Sequence, residues 1–460
     1  MSQTQTRRSS QVDLLHGSIL KSLLLFALPI MASRVFQQIY NTMDTLIVGY
    51  TLGDSSIAAM GACSSIYEMM TGFTFGVGNG LAIVTARCFG RQETDRMKKS
   101  VASCIVIGVA VTLVVTILAT IFMHPLLRLL KTPAKILEES YSYISILSIF
   151  LFVMFAYNLC SGLLRAIGNS FMPLVFLIFS SLVNIVLDLL FIRTFGMGVR
   201  GAAIATVIAQ GISAVLSLLI FLCRMRRYES RFDWFDRQEL HSMLQIAVPS
   251  VLQQSTVSIG MMIVQAVVNP FGTQALAGYS ATMRVENVFS LIFVSIGNAV
   301  SPYVSQNLGA KKIERIKKGY HAALVLDICF AVLAFIIIES LHTQISSLFL
   351  GKDGTALAYQ VSGNYMRWLG YFFTFMGIKM ATDGVLRGLG IMRPFLVANM
   401  VNLAIRLSVA LIFAPRFGIA FVWLAVPAGW FANFLISYGA LRKSWPSDNC
   451  NCVINTNELL

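Results

Sequence analysis

The chain has 460 residues, of which 56% are hydrophobic and only 12% charged, about half the charged share of an ordinary soluble domain. That composition excludes a soluble globular protein, and runs of Leu, Ile, Val, Phe and Ala without strict alternation exclude a membrane β-barrel. The net charge of +14 is no nucleic-acid footprint, because the basic residues fall between apolar runs of about 20 residues or more, each long enough to cross a bilayer as a helix.

The fold class is therefore an all-α membrane protein. Twelve transmembrane helices are predicted near residues 19–45, 55–82, 97–123, 137–160, 170–192, 199–223, 239–268, 276–303, 319–341, 360–382, 394–415 and 418–441. The first holds Pro29 and no small-residue cleavage site after a compact core, so it is expected to stay as a span and not act as a signal. Pro29 lacks a backbone donor and is a candidate hinge. Asp44 follows it by fifteen residues, ~22 Å of helix rise, in the outer half of the span. A carboxylate at that depth costs several kcal/mol, about 3 or more, and needs a partner, a wet cavity or a proton. Gln37 and Tyr40 precede Asp44 on one helical stripe and are candidates for lining a cleft. Arg34 and the second span's Glu68 could pair across the two helices or line the same cleft, and Glu68 is a candidate contact for a cation.

After span two come Arg87, Arg91, Arg96, Lys98 and Lys99; Arg224, Arg226, Arg227, Arg231 and Arg237 follow span six; Lys311, Lys312, Arg315, Lys317 and Lys318 follow span eight. The intervening loops are poor in Lys and Arg, so both termini are expected on the cytoplasmic side. Span four offers Asn158. Span five offers Asn184 and Asp188, four residues apart and hence on one face, and span six adds Thr206 in a small-residue run that lets helices approach. Two acids, an amide and a hydroxyl could ligate a hard cation such as sodium, or hold a proton. The alternatives are that Asp44 orders its own helix and that Asp188 faces an outer vestibule near Arg193. No acid lies in span seven between Ala247 and Phe271; span eight opens with Arg284 and Glu286; span ten carries Lys379 and Asp383, four apart, expected as a structural ion pair unless Asp383 faces Arg406 of span eleven. The tail holds Cys450 and Cys452, a possible metal or lipid attachment but more simply an inert end.

The second half repeats the first at an offset of roughly 220 residues, a common transporter construction. "LKSLLLFALPIMASRV" is answered by "LHSMLQIAVPSVLQQS", aligning Pro29 with Pro249. Gly78 and Asn79 align with Gly297 and Asn298, Gly90 with Gly309, Arg165 with Arg387, and Pro173 with Pro394. The expected organisation is an N-terminal six-helix lobe over 1–223, a linker over 224–240, a C-terminal lobe over 241–445 and a tail over 446–460, with a cleft between the lobes.

Taken in order, "GSILKSLLLFALPIM", "IYNTMDTLIVGYTLG", "GNGLAIVTARCFG", "LLRAIGNSFMP", "VNIVLDLLFI", "GVRGAAIATVIAQ" and "VSQNLGAKK" make the chain resemble the multidrug and toxic compound extrusion (MATE) family. The resemblance implies two six-helix bundles in a V, alternating access, and export of amphipathic, often cationic, organic compounds in exchange for sodium ions or protons, with no other cofactor. It also implies that Asp44, Asn184, Asp188 and Thr206 form the coupling site. Some relatives couple instead through acids of spans seven and ten, but here the second half has Arg406 opposite Asp188 and Met376 where the acid of span ten would stand. Met31, Met43, Met69, Met70 and Met154 are candidate pocket lining. A flippase of lipid-linked saccharides is the alternative within the same superfamily and would need a more cationic cavity. A membrane enzyme is disfavoured by the lack of HExxH, GxSxG, P-loop or paired-histidine motifs. A bacterial inner-membrane monomer is the expected setting.

Overall fold

The computed structural model describes residues 11–130, 132–225, 237–351 and 354–445. Among them the chain forms thirteen α-helices and no strand: α1 Ile19–Leu52, α2 Asp54–Arg91, α3 Thr94–Leu129, α4 Ala134–Ile149, α5 Leu151–Ala166, α6 Phe171–Asp188, α7 Val199–Met225, α8 Arg237–Val268, α9 Thr273–Gly309, α10 Ile313–Leu350, α11 Ala356–Leu389, α12 Met392–Phe417 and α13 Ala420–Lys443. Each predicted span has its helix, but the helices outrun the apolar runs, because nothing in the flanking polar sequence interrupts them. Gly53, at φ 89° between α1 and α2, and Gly390, at φ 82° after α11, mark two of the stops, in conformations that cost a glycine nothing.

Span four is a correction. It was expected as one helix over 137–160, yet α4 and α5 meet at a 49° bend. No Pro or Gly marks that break. It lets Leu147 and Leu151 on either side both be fully buried while Phe150 and Phe152 face outward, so the packing sets it and not the local sequence. With α4 and α5 as one crossing, eleven crossings have the length and apolarity to span a bilayer. The twelfth, α11, carries Arg367, Lys379, Asp383 and Arg387 and packs against α9, α10 and α13. Rows such as Val109, Leu113, Ile117 and Ile121 of α3, or Val325, Val332 and Ile336 of α10, point outward, as lipid-facing helices require.

Most of the packing lies within α2–α7 or within α9–α13, while α1 also packs on α9 and α10, α2 on α8 and α9, and α8 on α2 and α12. The hydrogen bonds that join the two halves lie at the end bearing the basic loops. Ser305 donates to the Ile83 carbonyl (2.8 Å), Gln306 to Ala166 (2.7 Å), and Arg87 to Leu389 (3.1 Å). At this contact a Cβ on Gly90 would lie 2.0 Å from the Gln306 carbonyl oxygen, and one on Gly309 would lie 2.1 Å from that of Arg87. Two glycines that occupy equivalent places in the repeat thus let each half touch the other's backbone. Beneath them, residues 11–17 form a strap. Val12 N–H and the Gln11 amide donate to the turn at Gly168 and Ile167, while Asn307, Lys312 and Arg315 donate to the carbonyls of Leu14, Leu15, His16 and Gly17.

Candidate functional site

Four polar side chains from α1, α6 and α7 converge inside the first half. Asp44 is 7% exposed, Asn184 and Asp188 are 0% and Thr206 is 3%. The carboxyl groups of Asp44 and Asp188 lie close enough to interact directly. With its amide oriented to satisfy both neighbours, Asn184 donates to Asp188 Oδ2 at 3.0 Å and accepts from the Thr206 N–H at 3.2 Å. The i, i+4 spacing of Asn184 and Asp188 puts both on the face of α6 that meets α7, and a π-helical turn, Leu189–Thr194, follows directly. Irregular turns of this kind recur where a helix serves a site. One oxygen on each acid, Asp44 Oδ1 and Asp188 Oδ1, is buried without a partner.

Tyr40 was expected in the cleft but instead donates to Thr206 Oγ1 at 3.3 Å, in the wall of this acidic pocket. Tyr67 and Tyr143 also lie within electrostatic reach of Asp44. Sequence reasoning missed these aromatics, since a tyrosine in an apolar run reads as packing. Two buried carboxyls this close are costly to keep ionised together, so the pocket can hold a proton. With both acids ionised, their oxygens would be free for a cation of hard character.

A second feature lies between the halves. A cavity of about 580 Å³, open solvent included, is lined by Phe75, Asn79, Arg165, Gln253, Asn298 and Arg387 among others. An adjoining one of about 440 Å³ shares several of these residues and adds Arg34, Gln37, Tyr157 and Asn158. The cleft candidates Gln37 and Asn158 thus face this space, Asn158 also donating to Thr74 at 3.3 Å. Glu68 is exposed and lines neither cavity. Of the two readings of Arg34, the ion pair with Glu68 does not form; the guanidinium lies 4.0 Å over the Phe75 ring and borders the adjoining cavity. None of Met31, Met43, Met69, Met70 and Met154 lines either cavity, and Met70 and Met154 are core residues.

In the second half Lys379 and Asp383 pair at 3.1 Å, both buried. Asp383 also accepts from Asn399 (3.3 Å) and Ser437 (3.1 Å), so its oxygens are filled and Arg406 makes no ion pair with it. Glu286 accepts from Tyr365 at 2.5 Å. Asp327 of α10, which sequence reasoning passed over, is 0% exposed with neither oxygen partnered. Pro29 lies inside an unbroken α1, where Ser33 donates to its carbonyl at 2.7 Å. Cys450 and Cys452 and most of segment 224–240 lie outside the described residues, α7 and α8 reaching into that segment to Met225 and from Arg237.

Comparison with known proteins fits this geometry. The probable multidrug resistance protein YpnP of Bacillus subtilis is 28% identical over 85% of this chain and 87% of its own length. A protein of Shewanella oneidensis named FAD transporter is 24% identical over 67% and 70%. A solved structure of a Pyrococcus furiosus MOP superfamily transporter, described as having a binding pocket of reverse polarity, superposes with a TM-score of 0.85 at 21% identity, covering 95% of this chain and 98% of that one. The sequence model of the MatE family matches residues 29–190 and 249–412, once in each half of the repeat, covering Asp44, Asn184 and Asp188 of the acidic pocket and the lining of the interlobe cavity. The chain therefore belongs to the MatE family of multidrug and toxic compound extrusion transporters.

Proposed function

We propose that the protein is a secondary active multidrug efflux antiporter, exporting amphipathic organic compounds, cations among them, in exchange for protons or sodium ions. The observation that carries the reading is the contact between Asp44 and Asp188, sealed by Asn184, Thr206 and Tyr40 in one half only. Loading the coupling ion there lowers the net negative charge of two buried acids by one, which relaxes the demand for polar partners around them. α1, already short of one hydrogen bond at Pro29, then readjusts. The lobes 1–223 and 241–445 rock about the cavity between them, exposing it to one side and then the other. If the ion weakens binding of the compound, the compound weakens ion binding by the same factor. In this reading the protein works as a monomer in a bacterial inner membrane with both termini cytoplasmic, and the likeness to proteins named for multidrug resistance supports the substrate class. Asn158 and Gln37 contact the compound in the cavity, and Glu68 contributes at most to its entry. Lys379 with Asp383 is structural.

The flippase reading keeps one supporting observation, the arginines of the interlobe cavity, which would suit a diphosphate headgroup. The deciding experiment is reconstitution in liposomes with sodium and pH gradients imposed separately. Wild-type protein exports ethidium down one of them, and Asp44→Asn and Asp188→Asn each lose that coupling at least tenfold. Undiminished gradient-driven export by both variants would overturn the proposal.

A further inference from the structure

The cavity between the halves is lined by arginines and by no acid. We infer that its floor binds an organic anion, whose phosphate or carboxylate sits between Arg165 and Arg387. The inference rests on the efflux reading only in taking this cavity as the substrate cavity, and it adds a substrate class to that reading.

The two arginines are equivalents in the repeat, and each is held the same way. Arg165 Nη2 donates to Asn79 Oδ1 at 2.8 Å, and Arg387 Nη2 donates to Asn298 Oδ1 at 3.1 Å. A guanidinium has five N–H donors, and here the anchoring acceptor is a neutral amide that uses one of them. Arg387 Nε and Asn298 Nδ2 are buried with no partner. Arg34, the third cation, rests on Phe75 and borders the adjoining cavity with Arg165 and Asn298. The nearest acid along α11, Asp383, is engaged by Lys379 at 3.1 Å.

If these residues served only to tie α5 to α2 and α11 to α9, a neutral donor would suffice, since the acceptors are amides. Placing fixed charge within a membrane protein costs several kcal/mol unless it is paired, and paired cations face acids, phosphates or water-filled cavities. Two guanidinium forks held apart by asparagines, open toward one space, match the planar, bidentate geometry of a carboxylate or phosphate. The glutamines Gln253 and Gln254 across the cavity add neutral donors. The aromatic wall of Phe75 suits an apolar body attached to that group.

The test uses full-length purified protein and two aromatic dyes, carboxyfluorescein as the anion and ethidium as the cation, with farnesyl diphosphate as competitor. Wild-type protein is expected to bind carboxyfluorescein. Arg165→Gln and Arg387→Gln should each weaken that binding about tenfold or more, the scale of a lost charge-assisted hydrogen bond, while ethidium affinity moves less than threefold. Arg165→Lys and Arg387→Lys should restore part of it. Because the Gln variants could fail to fold, Gln253→Glu provides a second arm: it leaves both Arg–Asn pairs intact, adds a negative charge to the cavity, and should weaken carboxyfluorescein selectively. Displacement of the dye by farnesyl diphosphate at lower concentration than by free pyrophosphate identifies a lipid-borne anion, and the reverse order identifies a soluble one; either order supports the inference. Absence of anion binding to wild-type protein, or equal loss for both dyes in Gln253→Glu, overturns it. Gradient-driven ethidium efflux measured in parallel keeps that failure separate from a failure of the antiport reading.

Discussion

Asn184 is the residue on which the acidic pocket turns, since one amide satisfies both Asp188 and the backbone of α7. Asn184→Leu should leave Asp188 without that donor and cost about 1–3 kcal/mol, seen as a lowered melting temperature in detergent, with ion-driven efflux reduced at least tenfold. A variant that melts like wild type and transports normally would show that the amide does nothing for the acid. Lys379→Met makes the opposite case in the second half. It leaves Asp383 buried with only Asn399 and Ser437 as donors, and should destabilise by about 3–5 kcal/mol, whereas Lys379→Met with Asp383→Leu should recover most of the loss; a double-mutant cycle on thermal unfolding measures the difference. Both clusters were visible in the sequence because each sets two polar or charged residues four apart in an apolar run, Asn184 with Asp188 and Lys379 with Asp383. What stayed hidden were the residues whose types are ambiguous there. Tyr67 and Tyr143 read as packing, Tyr40 as cleft lining, and Asp327 was lost among the apolar residues of a span that otherwise looked like lipid contact. For Arg34 and Glu68 the sequence left pairing and cleft lining both open, because neighbouring helices do not fix which faces meet; Arg34 borders the cavity and Glu68 does not.

Among elements, α1 joins the acidic pocket to the interlobe contact, with Asp44 toward one end and the Ser22 and Phe26 core positions toward the other. Restoring the missing backbone donor by Pro29→Ala should stiffen it. The expected outcome is a severalfold slower turnover with little change in ion affinity, measured by efflux rate against equilibrium ion binding; equal turnover would remove the hinge. The glycines at the basic end offer a second test. Gly90→Val or Gly309→Val puts a branched side chain where only about 2 Å separates the Cβ position from a facing carbonyl. Each should prevent the two halves from meeting there and abolish efflux, while the isolated halves keep their packing, as reported by retained helix content and raised accessibility of a cysteine placed at Ser305. The order of the twelve crossings was legible from the apolar runs, although thirteen helices make them. The bend between α4 and α5 was not, because it is imposed by where leucines on either side find partners, and the sequence there carries no breaker.

At the scale of the molecule, duplication explains why each half presents an Arg–Asn pair and a contact glycine to the other, and divergence explains why only one half kept an acidic pocket, with Arg406 standing where the repeat would put a second acid. The hydrogen bonds between the halves gather at one end, beside the cavity that Arg165 and Arg387 line. Removing residues 1–18 should loosen that meeting. A Ser305→Cys variant in a cysteine-free background, with its side chain buried in the intact contact, should react with a maleimide severalfold faster after the truncation; unchanged labelling would mean the strap is ornamental.

The strap is gripped almost wholly through its carbonyl oxygens, with Leu14, 1% exposed, as its inward anchor. Peptide oxygens are the same whatever amino acid carries them, so positions 15 and 16 can change without weakening the clasp, whereas Gly17, at φ 73°, holds a conformation that favours glycine. The donors at 307, 312 and 315 are where its specificity is written, and a search for an inner gate by likeness among leader segments would overlook it.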